Sequence, residues 1–218
     1  AGDVNGDGYS DVDDSSELYT TYAGRAYLYF GGATMDNVAD VTMTGETTNN
    51  DFGFSVSTAG DVNGDGYSDV IVGAYGYSSS TGRAYIFFGG SAMDNVADLT
   101  MAGEATNNSF GRSVSTAGDV NGDGFSDVIA GALGYSSNTG REYIYYGGAV
   151  MNNAADVIMN AEVLNNFFGS SVSSAGDVNG DGYADIIVGA YAYSSFTGRA
   201  YIYNGSAISA KPILNYIK

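Results

Sequence analysis

Nine residues, Asp61-Val62-Asn63-Gly64-Asp65-Gly66-Tyr67-Ser68-Asp69, set the plan of the chain. The same pattern begins at residues 3, 61, 119 and 177, a constant interval of 58. Self-similarity at a fixed period marks solenoids, propellers and arrays. In these, one supersecondary unit cannot bury its apolar surface alone and stacks on copies of itself. The repeat therefore excludes an ordinary aperiodic globule.

Each copy places oxygen side chains at loop positions 1, 3, 5 and 9, with a backbone carbonyl available at position 7. That spacing aims several hard oxygen donors at one centre, as Ca²⁺ requires. The candidate ligands are Asp3, Asn5, Asp7, the carbonyl of Tyr9 and Asp11; Asp61, Asn63, Asp65, the carbonyl of Tyr67 and Asp69; Asp119, Asn121, Asp123, the carbonyl of Phe125 and Asp127; and Asp177, Asn179, Asp181, the carbonyl of Tyr183 and Asp185. Up to four Ca²⁺ are expected, one per repeat. The bland alternative for a single copy is an Asx-turn, in which Asp and Asn bond their own backbone. Four copies in strict register weigh against it. The loop is not an EF-hand, because position 12 is held by Asp14, Val72, Ala130 and Val188 instead of a bidentate Glu.

Between loops, each unit divides into four apolar segments separated by turn signals. In the second unit these are residues 52–60, rich in small side chains; 69–74, a near-continuous apolar run suited to burial on both faces; 83–88; and 97–102, with the alternation of an exposed outer strand. Four antiparallel strands per unit, repeated, predict an all-β fold, a β-propeller of four-stranded antiparallel blades with four blades visible. The single propeller region, 1–218, divides at about 1–51, 52–109, 110–167 and 168–218. The first blade lacks an inner strand before Ala1. Its counterpart of Ile71-Val72-Gly73-Ala74 is Asp13-Asp14-Ser15-Ser16. Two buried Asp would cost several kcal/mol, so that segment is expected to be exposed and frayed. At the other end, residues 213–218 fall in register with the fourth segment.

Phe52-Gly53, the DxNxDGxxD loop, Val72-Gly73-Ala74 and Gly82-Arg83-Ala84-Tyr85-Ile86-Phe87 together resemble the FG-GAP repeat of integrin α-subunits and bacterial secreted proteins. The resemblance covers nearly the whole chain. It implies a seven-bladed ring of which this chain supplies four blades, and a ligand-binding face opposite the calcium loops. One departure recurs. Tyr75, Leu133 and Tyr191 stand where the family often has Pro, which implies a differently shaped loop there.

Strand direction puts the calcium loops on one face. The other face carries Tyr77, Tyr135 and Tyr193, with Asn49-Asn50, Asn107-Asn108 and Asn165-Asn166. Tyr with paired Asn could stack on and hydrogen-bond a sugar. Turn chemistry alone also accounts for these residues and is favoured. Arg25, Arg83, Arg141 and Arg199 recur in every unit, as expected of a structural ion pair. The Met pairs 35/43, 93/101 and 151/159 read as packing between blades. Glu142 and Glu17 break the periodicity, each alone.

The chain holds 25 acids and 7 bases, a net charge of −18, with no Cys and no His. Twelve acids are loop Asp, and four divalent ions would bring the charge to about −10. Without a basic stripe, nucleic acid and anionic lipid are excluded as partners. No segment reaches the ~18 apolar residues of a membrane helix. The expected function is an extracellular or cell-surface Ca²⁺-stabilised module for adhesion, protein interaction or assembly, without catalysis. Its partners are an extracellular protein or glycan, with self-association through open strand edges. The alternatives are a carbohydrate-binding propeller and the propeller part of a larger secreted enzyme.

Overall fold

A computed structural model describes residues 1–207 and 213–215. Its strands form four antiparallel sheets, each a meander in chain order. The first holds β1 (Val12–Ser16), β2 (Arg25–Tyr29) and β3 (Val41–Thr44). The second holds β4 (Phe52–Gly60), β5 (Asp69–Ala74), β6 (Arg83–Phe87) and β7 (Leu99–Ala102). The third holds β8 (Phe110–Gly118), β9 (Asp127–Ala132), β10 (Arg141–Tyr145) and β11 (Val157–Asn160). The fourth holds β12 (Phe168–Gly176), β13 (Asp185–Ala190), β14 (Arg199–Asn204) and β15 (Ile213–Asn215). The rest of the segment expected at 213–218 lies outside the described residues.

The core lies in the seams between sheets. One cluster joins Val4, Leu28 and Met43 of the first unit to Phe52, Val70, Val72 and Phe87 of the second. Equivalent clusters join the second unit to the third and the third to the fourth. β5 and β9 are buried along their whole length, as their apolar runs predict. Seam burial depends on the next sheet. Val62 and Ala84 are fully buried, whereas Val178 is 54% exposed on the outer side of the fourth sheet and Ala200 there is also exposed.

The Phe-Gly pair stitches each seam. Phe52, Phe110 and Phe168 form parallel bridges to Gly24, Gly82 and Gly140 of the preceding unit. The Phe52 ring packs edge-on against Tyr85 and Phe87 at 5.3 and 6.4 Å. Such pairs add about 0.5–1.5 kcal/mol beyond area burial.

The Asp13-Asp14-Ser15-Ser16 segment is exposed, as expected, but it is not frayed. β1 pairs with β2 over five residues, Val12 with Tyr29 through Ser16 with Arg25. Main-chain hydrogen bonding maintains the ladder, and β1's mostly solvent-facing side chains avoid burying their charge.

Before the Arg-bearing strand of each sheet comes a one-turn segment: Tyr19–Tyr22, Tyr77–Ser80, Tyr135–Asn138 and Tyr193–Phe196. In the second, Ser78, Ser79 and Ser80 all have positive φ, 49°, 58° and 58°. Three consecutive left-handed residues cost roughly 1–2 kcal/mol each. The connection leading into the next blade compensates, since Asn107 N–H donates to Ser79 O at 3.2 Å and Ser109 N–H to Ser80 O at 2.7 Å. The departure from Pro at Tyr75 thus coincides with a left-handed turn secured by the connection to the next blade.

Candidate functional site

In the second, third and fourth sheets the Asp loop connects the first and second strands, and in the first it leads into β1; the geometry repeats closely. In the second loop, Asp61 Oδ1 accepts the amides of Gly64 and Asp65, and Asp61 Oδ2 accepts Gly66 N–H. Asn63 Oδ1 accepts Asp65 N–H, and Asp65 Oδ1 accepts Tyr67 N–H. Asp69 closes the wrap. One of its oxygens accepts Val62 N–H at 2.8 Å and the other Gly89 N–H, also at 2.8 Å. Gly89 lies beyond β6, so Asp69 ties the loop to the third strand's exit on the same face. Asp11, Asp127 and Asp185 make the same pair of bonds.

Adjacent loops are joined across the seams. Ser68 N–H donates to Asp3 O, Ser126 N–H to Asp61 O and Ala184 N–H to Asp119 O, at 2.9–3.0 Å. The position-7 aromatics add a second link. The ring of Tyr67 lies against Gly6, Phe125 against Gly64 and Tyr183 against Gly122. Gly64 has φ +77° and no room for a Cβ beneath the Phe125 ring, so the fourth loop position requires Gly twice over.

Each loop carries three carboxylates within nine residues. Burial pushes the Asp69 carboxyl up to about 7, and the nearby charges of Asp65 and Asp61 push the same way, against the amides of Gly89 and Val62. Asp127 is raised to about 7 for the same reasons. This crowding of negative charge is what a divalent cation relieves, and every donor is hard oxygen. The residues therefore fit Ca²⁺. Among the described residues, however, no three Asp or Glu side chains converge as a ready-made cage. Their oxygens are turned to the loop amides.

The opposite face differs from the expectation for sugar stacking. The guanidinium of Arg83 lies 3.7 Å from the Tyr77 ring centroid, and Arg141 and Arg199 lie 3.6 Å from those of Tyr135 and Tyr193. One face of each ring is thus taken by the protein's own cation. Asn50, Asn108 and Asn166 are buried at 1%, 6% and 2% exposure and cannot meet a ligand. The Asn50 carbonyl accepts Gly76 N–H. Only Asn49, Asn107 and Asn165 are exposed, at left-handed turn positions with φ of 58–63°. The recurring Arg does form an ion pair, across the seam: Arg83 with Glu46 at 2.8 Å and Arg141 with Glu104 at 2.7 Å. Tyr85 O–H also donates to Glu46.

Two residues gain importance only in three dimensions. Arg112 occupies the place held by Phe54 and Ser170 in the adjoining units, and its guanidinium lies over the rings of Phe54 and Tyr75 at 4.2 and 4.7 Å. Glu142 occupies the place of Ala26, Ala84 and Ala200, and it is fully buried with neither carboxyl oxygen hydrogen-bonded. Glu142 already breaks the periodicity in the sequence, and aligning the units position by position finds Arg112 as well.

The family model for the FG-GAP repeat matches residues 52–87, 110–150 and 168–203. Integrin alpha-5 of Xenopus laevis is 31% identical over 98 residues, covering 41% of this chain and 9% of the relative. The chain thus corresponds to under a tenth of that relative's length. No helix among the described residues is long and apolar enough to cross a membrane.

Proposed function

Since the chain belongs to the FG-GAP repeat family, we propose that it is a Ca²⁺-stabilised extracellular propeller module for adhesion or protein interaction, without catalysis. The observation that carries this reading is the linkage of the acidic loops across the blade seams. An ion held by Asp61, Asn63, Asp65, the Tyr67 carbonyl and Asp69 would neutralise a loop that is bonded to its neighbours on either side through Asp3 O and Ser126 N–H. The same role falls to the corresponding residues of the other three loops. Binding would therefore stiffen the stack of blades, as well as the individual turn. With free Ca²⁺ at 100-fold over Kd, each site would contribute roughly 2.7 kcal/mol. Modest-affinity calcium loops fill where calcium is plentiful, which together with the likeness to an integrin supports an extracellular or cell-surface setting.

The role is structural, so partners are assigned to the opposite face. Of the acids outside the loops, Glu46 and Glu104 are committed to ion pairs and Glu142 to the interior. The test is thermal melting with chelator, followed by Ca²⁺ or Mg²⁺. Chelation should lower Tm and Ca²⁺ should restore it, with Mg²⁺ less effective. An unchanged Tm under chelation would remove the calcium assignment.

A further inference from the structure

We propose that a cleft between the third and fourth blades, on the face opposite the Asp loops, binds a carboxylate-bearing sugar. The cleft measures about 410 Å³ and is lined by Ser109, Arg112, Leu133, Ser170 and Tyr191. That volume lies within the range of small-molecule sites. Its origin is visible in the register. At the preceding seam the long side chain of Arg112 covers Tyr75. One repeat later, Ser170 stands in Arg112's place and Leu133 in that of Tyr75. The shorter side chains leave the space open.

The lining matches an acidic sugar in three ways. Arg112 is the only Arg outside the recurring series at 25, 83, 141 and 199, and among the described residues it makes no ion pair. Stacking on Phe54 and Tyr75 fixes its plane, and the donors not engaged by its hydrogen bond with Tyr75 are left for a carboxylate. Tyr191 offers a half-exposed ring for a sugar face, backed by Phe167 stacked at 5.0 Å. Ser109 supplies a hydroxyl that can donate to or accept from a ring hydroxyl, and Ser170, whose hydroxyl donates to Gly189 O at 3.2 Å, can accept one. An acidic peptide side chain would use Arg112 but leave most of the cleft unfilled. The chain's net −18 opposes anions in general, but twelve of the 25 acids belong to the loops of the other face.

The proposal extends the assignment of partners to this face and does not depend on the ions. The full chain, with Ca²⁺ present, is titrated with glucuronate and with N-acetylneuraminate, using saturation-transfer NMR and calorimetry. Glucose serves as the neutral control and a hexa-glutamate peptide as the acidic competitor. Saturable binding of an acidic sugar, at least tenfold tighter than glucose, is expected. Arg112→Ala should weaken it tenfold or more and Arg112→Lys less. Ser170→Phe, which fills the cleft with the residue found at Phe54, should abolish it and decides the matter if the Arg variant fails to fold. Absence of binding at millimolar sugar would overturn the proposal, as would equal binding of glucose, indifference to Ser170→Phe, or stronger binding of the peptide. Loss of the proposal with calcium-dependent melting intact leaves the calcium assignment standing.

Discussion

Replacing Glu142 by Ala should stabilise the protein, and by more at neutral than at acidic pH. Glu142 sits on β10 opposite Gly131 and Met159, at a position that is Ala in each other blade. Its Oε1 lies against Gly169 of the next blade, and neither oxygen has a hydrogen-bond partner. Burial raises its pKa well above the ordinary carboxylate value, so the folded protein keeps the proton over a range where the unfolded chain, near 4.3, releases it. The sign follows from linkage. The folded state binds more protons than the unfolded state above about pH 4, so stability falls as pH rises through that window. The slope is at most about 1.4 kcal/mol per pH unit, continuing until the folded group itself ionises. Below the window the neutral acid still leaves buried polar atoms unsatisfied, at roughly 1–3 kcal/mol, against roughly 0.8 kcal/mol for one buried methylene lost on truncation. Glu142→Ala should therefore gain about 1 kcal/mol near pH 4 and a few kcal/mol near pH 7. Urea unfolding at both pH values, with Ca²⁺ saturating, measures the difference. Asp69 and Asp127, held ionised by bound Ca²⁺, are common to both proteins and cancel. Glu142→Gln should remove the slope while retaining the polar penalty. An Ala variant that is less stable at both pH values, or a difference that does not change with pH, would refute the argument.

Three further outcomes are expected. Gly64→Ala meets both a left-handed backbone and the Phe125 ring, whereas Gly66→Ala at φ +91° meets only open space. Gly66→Ala should cost roughly 1 kcal/mol and Gly64→Ala clearly more, by urea unfolding. Asp69→Asn turns one acceptor into a donor facing a backbone amide, so it should lose about 1–3 kcal/mol even in chelator. An Asn variant that loses stability only when Ca²⁺ is present would show that the two amide bonds are unimportant. Tyr77→Leu removes the ring beneath Arg83 and should cost about 0.5–1 kcal/mol while lowering the tolerance of the Glu46–Arg83 pair to salt.

The period of 58, the four-strand unit, the strand order and the division into two faces are all legible in the chain itself. Each rests on local chemistry repeated in register: apolar runs for strands, Gly and Asp for the loop, Gly-Ser for the turns. The loop's internal bonds are also local, since Asp61, Asn63 and Asp65 bind amides within five residues. A repeat reveals what is the same in each blade. It does not reveal what each blade meets, because the groups that meet lie some 37 or 58 residues apart or on opposite sides of a turn. Only the packed seams decided that Arg83 reaches back to Glu46 and covers Tyr77, so that the ring is not free for a sugar. They decided that of two adjacent Asn, Asn50 is enclosed and Asn49 is not, because Asn49 itself takes a left-handed backbone that turns the chain there. They also gave single departures their meaning. A Glu among Ala becomes a buried unpaired acid, and a Ser after an Arg becomes a cleft, because the neighbouring blade supplies the other wall.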